Sequence, residues 1–242
     1  MIAFPILSLD AELLSPAFDY SFDPRWAHRH ESLLSLLWKF VAVNSALGHL
    51  VIRYLDAQAD PYLGLQPVRS PALSRTAARL LKLTRPAIAR GLLAPKAQVL
   101  ALKHLRYCPP CAHRGFHCVM FQLPTLTQCP IHRVALRDTC PQCKKPLPHE
   151  LSVRTLEHPY RCPSCGRLLC RSLIKRLDAP EQPNNRKVAQ IEHAYTRFAG
   201  SLLGYPGLRR HKPYDPRLMP QEKLQALMKE LYQYEKLATA ML

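Results

Sequence analysis

The chain has 242 residues, of which 34 are Lys or Arg and 17 are Asp or Glu, so its formal net charge is +17. An excess of this size is typical of proteins that bind nucleic acid or another polyanion, and a hydrophobic content of 48% is enough to build packed cores. The sequence shows no apolar run long enough to cross a bilayer and no basic signal-peptide start, which argues against a membrane partner and favours the cytoplasm.

The N-terminal part predicts an extended arm followed by two helices. Prolines interrupt the first 28 residues, which are expected to pack as an arm on the rest of the chain. Apolar residues at helical spacing then predict a first helix over residues 30–43. Asn44 is predicted to cap a second helix that runs to about residue 55. The apolar residues of both helices are interpreted as core.

Residues 72–93 predict two short helices joined by a tight turn. Leu83 is the expected apolar turn residue, Thr84 is expected to cap the second helix, and Lys82 occupies a turn position where glycine is common. This arrangement is typical of a helix-turn-helix that contacts DNA or a partner; an ordinary helical hairpin with a basic outer face is the alternative. No acid occurs in residues 69–90. The candidate contact residues of the unit are Arg75, Arg79, Lys82, Arg85 and Arg90.

All nine cysteines of the chain lie between Cys108 and Cys170. In a cytoplasmic protein, this confinement favours a metal module over disulfides. Four C-x₂-[CH] pairs occur here, and each can turn both of its side chains toward one ion. A tetrahedral Zn²⁺ needs two such pairs, so the sequence predicts two zinc sites. The pairs are Cys108 with Cys111, Cys129 with His132, Cys140 with Cys143, and Cys162 with Cys165.

Sequential pairing gives a Cys₃His site and then a Cys₄ site with zinc-ribbon spacing; an interleaved, cross-braced pairing is the alternative. Each site would have a full set of protein ligands. That favours structural over catalytic zinc, because a catalytic site keeps one position open. His117 with Cys118 is an alternative ligand set, while Cys118 and Cys170 are otherwise expected to be buried thiols. No catalytic triad, carboxylate pair, deaminase signature or phosphate-binding loop is visible, so no enzymatic activity is expected.

The metal region, residues 101–176, is basic, with thirteen Lys or Arg residues against three acids. Seven thiolates carry −7 and two Zn²⁺ ions carry +4, so metal binding would change the net charge by only −3. The whole chain would then carry about +14. The surplus positive charge of this region can bind the phosphates of a nucleic acid. Lys144 and Lys145 are the candidate contact residues.

Amphipathic patterns predict C-terminal helices over residues 188–202 and from residue 221, after a linker rich in Pro and Asn. The predicted fold class is mostly α with small β elements of the zinc-ribbon type. Its predicted organisation is an N-terminal arm and helix-turn-helix-like helical domain (1–100), a tandem zinc-binding module (101–176) and a C-terminal helical segment (177–242).

The order of these motifs resembles the TniQ/TnsD family of transposition proteins. The resemblance rests on YCPPC, then FQLPTLTQCPIHRVALRDTCPQC, then CPSCG, and on the earlier HESLLSLLWKFVAVNSAL, which is similar to the family's Glu-Ser-Leu helix and the helix after it. It covers about residues 30–200. The chain departs from the family in having Phe121 where many members have Trp, and it lacks the further C-terminal DNA-binding segment of TnsD-like relatives.

The resemblance implies a bacterial adaptor that selects the target of DNA transposition, with the family's metal ligands at the same eight Cys and His residues. Its members recognise a DNA sequence or a CRISPR RNA-guided effector complex and recruit an AAA+ ATPase transposition regulator. That ATPase and the DNA or RNA-guided complex are therefore the expected partners. A homodimer is a further candidate assembly, independent of the resemblance. The rival hypotheses are a free-standing zinc-ribbon or helix-turn-helix DNA-binding regulator and a zinc enzyme.

Overall fold

The computed structural model describes residues 20–93, 101–124 and 126–170, so the predicted arm up to residue 19 and the predicted C-terminal helices lie outside the described residues. Pairing between extended segments of the described residues takes the form of isolated bridges, and the fold they form is mostly helical with little strand. The helices are α1 (Leu33–Asn44), α2 (Gly48–Leu55), α3 (Pro71–Leu80), α4 (Arg85–Arg90), α5 (Pro109–His113) and α6 (Val153–Leu156), with 3₁₀ turns at Pro24–Trp26 and Val119–Gln122.

The first helix begins three residues later than the sequence predicts. Ser32 is its N-cap, and the Ser32 Oγ accepts a hydrogen bond from the Ser35 amide at 3.1 Å. The two preceding residues are held outside the helix, because Glu31 pairs with Cys118 in an antiparallel bridge and His30 has a φ of 61°. From Leu33 to Val41, α1 is buried on every side.

The predicted role of Asn44 is wrong. Asn44 is the last residue of α1, and its side-chain amide bonds to the Phe40 carbonyl and to both backbone groups of Ser21. The second helix starts at Gly48, where the Leu47 cap supplies no side-chain bond. The Glu157 carboxylate accepts instead from the Gly48 amide at 3.1 Å. A residue 109 positions away thus supplies the cap, which local sequence patterns do not reveal.

Helices α3 and α4 pack against each other through a short turn. Thr84 caps α4 as predicted, since its Oγ1 accepts from the Ala87 amide. Lys82 adopts a φ of 50°, the left-handed conformation that explains why glycine is common there. The sequence pattern predicts that the two helices extend to about residues 82 and 93, whereas they end at Leu80 and Arg90. The Arg69 guanidinium donates to the Ala89 carbonyl in the last turn of α4 and to the Leu92 carbonyl beyond it, which satisfies acceptors that a longer helix would use itself.

One hydrophobic core joins the helices to the metal region. It includes α1, α2, α3 and α4 residues together with residues near the last two Cys pairs, so it crosses the predicted boundary between residues 100 and 101. A smaller core surrounds the first two pairs and includes Phe116, Phe121 and Leu123. The described helical part and the described metal region therefore pack on each other.

None of the helices in the described ranges is both long and apolar enough to span a membrane.

Candidate metal centre

Three of the four predicted ligand pairs share one backbone geometry. In each, the first cysteine's amide donates to the carbonyl five residues on: Cys129 to Val134, Cys140 to Lys145 and Cys162 to Arg167, at 2.8 to 2.9 Å. In each, the residue after the second ligand donates back to the carbonyl of the first cysteine and has a positive φ. Those residues are Arg133, Lys144 and Gly166, with φ of 54°, 60° and 70°.

The first pair is built differently, on a helix. Cys108 is the N-cap of α5, and Pro109 and Pro110 occupy its first turn, where a missing N–H costs nothing. Cys111 lies one turn further on, so both sulfur atoms are on the same side. The helix ends at His113, and Gly115, two residues further on, has a φ of 68°.

The structure brings the eight predicted ligands together as two clusters, and the grouping is sequential rather than interleaved. The first cluster contains Cys108, Cys111, Cys129 and His132, and the second contains Cys140, Cys143, Cys162 and Cys165; the four ligand atoms of each cluster lie within 4.8 Å of one another.

The distances within the first cluster suit one small cation. The His132 Nδ1 lies 3.5 Å from Cys108 Sγ, 3.3 Å from Cys111 Sγ and 3.6 Å from Cys129 Sγ, and the Sγ atoms of Cys111 and Cys129 are 3.7 Å apart. Four ligands at tetrahedral corners with Zn–S bonds of about 2.3 Å would stand roughly 3.8 Å apart. All three sulfur atoms belong to buried residues.

The second cluster has the same spacing and is more exposed. The Cys140 and Cys165 sulfur atoms are 3.6 Å apart, as are those of Cys143 and Cys162. Backbone amides aim at two of the sulfurs, from Gln142 to Cys140 and from Ser164 to Cys162, each at 3.4 Å. Burial disfavours the Cys140 thiolate, yet the amides of Cys143 and Gln142 lower the Cys140 pKa to about 7.

The protonation chemistry of the first cluster also fits a divalent cation. Hydrogen bonds from the Cys108 and Cys111 thiols lower the pKa of Cys129 to about 2, and the same kind of contact, with Cys108 and then Cys129, raises the pKa of Cys111. A cluster of thiols alone therefore favours one thiolate. A soft divalent cation would deprotonate all three sulfurs, so the donor sets fit a thiolate-binding metal with every tetrahedral position supplied by protein.

The spare candidates for metal binding lie elsewhere. His117 is buried, and its ring is bonded at both nitrogens: Nδ1 accepts from the Ser32 hydroxyl at 2.7 Å, and Nε2–H donates to the Arg106 carbonyl at 2.8 Å. Cys118 is buried beside it, opposite Glu31. His117, Cys118 and Cys170 belong to neither of the two clusters found among the described residues.

A buried polar network that the sequence analysis did not single out joins α1 to the metal region. The Lys39 ammonium lies 2.7 Å from the Glu31 carboxylate, with side chains 8% and 0% exposed. The Ser35 hydroxyl bonds both to Glu31 and to the Tyr160 hydroxyl, each at 2.6 Å. Tyr160 also donates to the Gly115 carbonyl next to the first ligand pair. The sequence feature that could have revealed this network is Lys39, because it is the single charged residue in the apolar helix LLSLLWKFVAV.

The candidate nucleic-acid or partner residues are all exposed, and they form two groups. Arg75, Arg79, Lys82, Arg85 and Arg90 lie on the outer side of α3, α4 and their turn, while Lys144 and Lys145 follow the third ligand pair. The Lys82 ammonium donates to the Tyr20 carbonyl at 3.4 Å, and the Lys144 ammonium donates to the Pro141 carbonyl at 2.9 Å.

In comparisons with known proteins, no protein-family model and no curated protein matches the chain.

Proposed function

We propose that this protein is a non-enzymatic adaptor in DNA transposition that recognises a target, either DNA or a CRISPR RNA-guided complex, and recruits an AAA+ ATPase regulator. The proposal rests on the resemblance, and one observation supports it. The motif that starts α1 contacts the segment that joins the first two metal-binding motifs. The Ser32 amide donates to the His117 carbonyl at 2.8 Å, and the Val119 amide donates to the His30 carbonyl at 3.0 Å.

The segment between the first two ligand pairs is therefore paired with the segment that starts α1. Residues 30–32 precede and cap α1 and also meet residues 117–119, and the Ser32 hydroxyl bonds the His117 ring. An adaptor needs a rigid link between the surface that reads the target and the surface that recruits the ATPase. This pairing supplies such a link between the helical part and the metal region.

In this proposal both clusters bind structural Zn²⁺. Tetrahedral spacing, seven thiolates and a histidine favour zinc over the harder cations, which prefer oxygen ligands. Bound there, zinc would supply folding free energy and hold the loops of the metal region in place.

A rigid, exposed apolar turn offers a surface for the recruited protein. Tyr62 and Leu63 are 75% and 76% exposed, and the Asp60 side chain accepts from the Tyr62 amide at 2.8 Å. Behind them Gly64, with a φ of 77°, fits against Leu151. No Lys or Arg occurs in residues 54–68, which carry two acids instead. In a basic protein, this loop suits a protein partner better than a nucleic acid.

The test is co-elution of the full, metal-loaded chain with the AAA+ ATPase encoded beside its gene, with ATP and without it. We expect a complex with ATP, and we expect Tyr62→Ser combined with Leu63→Ser to weaken it. Val134→Ser, at a smaller exposed apolar site, is the matched control. A genomic neighbourhood without an ATPase and a transposase, or a chain that never co-elutes with that ATPase, contradicts the proposal.

The alternative function is a free-standing DNA-binding regulator that uses α3 and α4. The observation that favours it is the acid-free outer face of these helices, on which five basic side chains are exposed. A sequence-specific footprint by the isolated protein, in the absence of an ATPase, supports this alternative and counts against the adaptor.

A further inference from the structure

A cavity of about 290 Å³ lies between the two metal clusters and is separate from both ligand sets. Its walls come from the first ligand pair, from the third pair and from the segment after the fourth. The lining residues are Pro109, Arg137, Pro141, Gln142, Arg167, Leu168, Leu169 and Cys170.

The walls of this cavity are held by backbone pairing. Tyr107 and Arg137 exchange two amide-to-carbonyl bonds of 2.7 and 2.9 Å, which ties the approach to the first pair to the approach to the third. Arg161 pairs with Leu168, and the Leu169 amide donates to the Tyr160 carbonyl. Because both sides are fixed to the ligand-bearing turns, the cavity is preorganised for a ligand.

Two guanidinium groups, Arg137 and Arg167, give the cavity its charge, and no acid lines it. Both side chains are exposed at its rim. Within the described ranges, the ion pairs join Arg25 to Asp23 and Lys39 to Glu31, so neither cavity arginine is neutralised by a carboxylate there. The Arg137 guanidinium also lies near the Tyr107 hydroxyl, where it partly offsets the rise in the Tyr107 pKa that burial causes. Two planar forks of this kind match the oxygen atoms of a phosphate.

The rest of the lining is apolar and flat, with one amide. Pro109, Pro141 and Leu168 offer C–H faces against which a planar ring can stack, and Gln142 can both donate and accept. Inorganic phosphate would make no contact with the apolar wall, and a purely apolar ligand would not pair with the two guanidinium groups. One unpaired nucleotide uses all three kinds of surface, because it joins a phosphate, a planar ring and hydrogen-bonding edges.

We infer that the cavity between the metal clusters binds one unpaired nucleotide, with its phosphate on Arg137 and Arg167 and its base against Pro109 and Pro141. A base inside a duplex cannot enter, since both its faces are stacked. The nucleotide can come from a single strand or from a free nucleoside phosphate. This inference deepens the nucleic-acid contact of the proposed function, and its test needs neither the ATPase nor α3 and α4.

The test measures binding of the full, metal-loaded chain to a fluorescent oligonucleotide of about ten nucleotides, as a single strand and as a duplex. Arg137→Gln combined with Arg167→Gln should weaken single-strand binding about tenfold or more. It should also reduce the slope of binding against salt by about 0.7 for each phosphate that the variant no longer neutralises. Arg25→Gln combined with Arg53→Gln removes the same charge from exposed sites in the helical part and is the matched control, with an expected change below about twofold.

Arg167→Gln alone is the second variant, because the Arg137 side chain also contacts Tyr107. AMP and inorganic phosphate are tested as competitors. Displacement by AMP but not by phosphate supports the cavity. If AMP binding needs the arginines while strand binding does not, the ligand is the free nucleotide. Equal losses in the cavity and control variants, or tighter binding of the duplex that the cavity variants leave unchanged, overturn the inference even if the ATPase is recruited.

Discussion

The hydroxyl groups of Ser35 and Tyr160 lie 2.6 Å apart in the interior of the protein, although 125 residues separate them in the sequence. Ser35 belongs to α1, and Tyr160 precedes the fourth ligand pair and donates to the Gly115 carbonyl near the first. Three distant segments therefore meet at one buried point, whose ion pair and hydroxyls satisfy one another's hydrogen-bonding groups.

Tyr160→Phe should lower the free energy of unfolding by about 1–3 kcal/mol, because it leaves the half-buried Gly115 carbonyl without its donor and removes the buried Ser35 contact. Denaturant unfolding of the metal-loaded chain measures this loss. Tyr54→Phe is the matched control, since the buried Tyr54 hydroxyl has no partner in the described part of the chain. We expect its effect to be much smaller, and equal losses in the two variants would contradict a stabilising role for the Tyr160 hydroxyl.

Cys162→Ser should release about one zinc equivalent per chain and destabilise the metal region, because structural zinc is a source of folding free energy. Metal analysis of the purified variant measures the loss. Cys170→Ser changes a thiol outside both clusters and should keep two equivalents. Retention of two equivalents by Cys162→Ser contradicts the assignment of its ligand role.

Gly64 and Gly166 form a matched pair of left-handed glycines, with φ of 77° and 70°. At Gly166 an added Cβ meets nothing within 4 Å, whereas at Gly64 it meets the Leu151 carbonyl oxygen at 2.8 Å. Gly166→Ala should therefore cost only the backbone strain, about 1–2 kcal/mol. Gly64→Ala should cost clearly more in the same unfolding measurement, and a smaller cost at Gly64 would rule out the close contact with Leu151.

Charge reversal at Arg75, Arg79 and Arg85 to Glu should weaken binding of duplex DNA or of the partner, because these side chains are exposed on the acid-free face of α3 and α4. Binding titrations at two salt concentrations measure the effect. Reversal at Arg25 and Arg53 provides a control for net charge. Unchanged binding by the triple variant removes this face from the function.

Acid should destabilise the fold through His117. Burial lowers the pKa of His117 to about 4, against an ordinary value of 6.5. Between these two pH values the imidazole is therefore protonated in the unfolded chain and neutral in the folded chain. The resulting stability is fully present above pH 6.5 and is lost as the pH falls from 6.5 toward 4. His117→Asn should flatten this part of the pH profile of unfolding, measured together with metal content, and an unchanged profile would exclude the histidine as its source.

The ligand pairs were predictable because their spacing is local: two residues between ligands are enough to fix each turn, as Cys140 and Cys143 show. Thr84 was predictable for the same reason, since an N-cap bonds three residues ahead. Asn44 has equally good capping chemistry, yet it serves Ser21 instead. The sequence correctly identified Asn44 as a residue able to cap a helix, but in the folded protein its side chain bonds to the Ser21 backbone instead.

Other parts of the site depend on contacts that no local pattern encodes. The Glu157 cap of α2 and the contact of Tyr160 with Ser35 join residues more than a hundred positions apart. The pairing of Tyr107 with Arg137, which borders the cavity between the clusters, joins two segments that are separate in the sequence. Spacing therefore predicts each metal turn, and packing determines what the turns enclose.

The contacts of α1 with Thr155 and Tyr160 can form only late in the synthesis of the chain. A ribosome adds about 5–20 residues per second, so α1 is synthesised roughly ten seconds before Tyr160 exists to meet it. Until then the segment that forms α1, whose residues Leu33–Val41 are buried in the folded protein, lacks these partners, and Trp38 lacks the Thr155 carbonyl to which it later donates. The buried contacts of α1 are therefore complete only after Tyr160 has been synthesised, and a nascent chain interrupted before that point leaves part of the hydrophobic core without its partners.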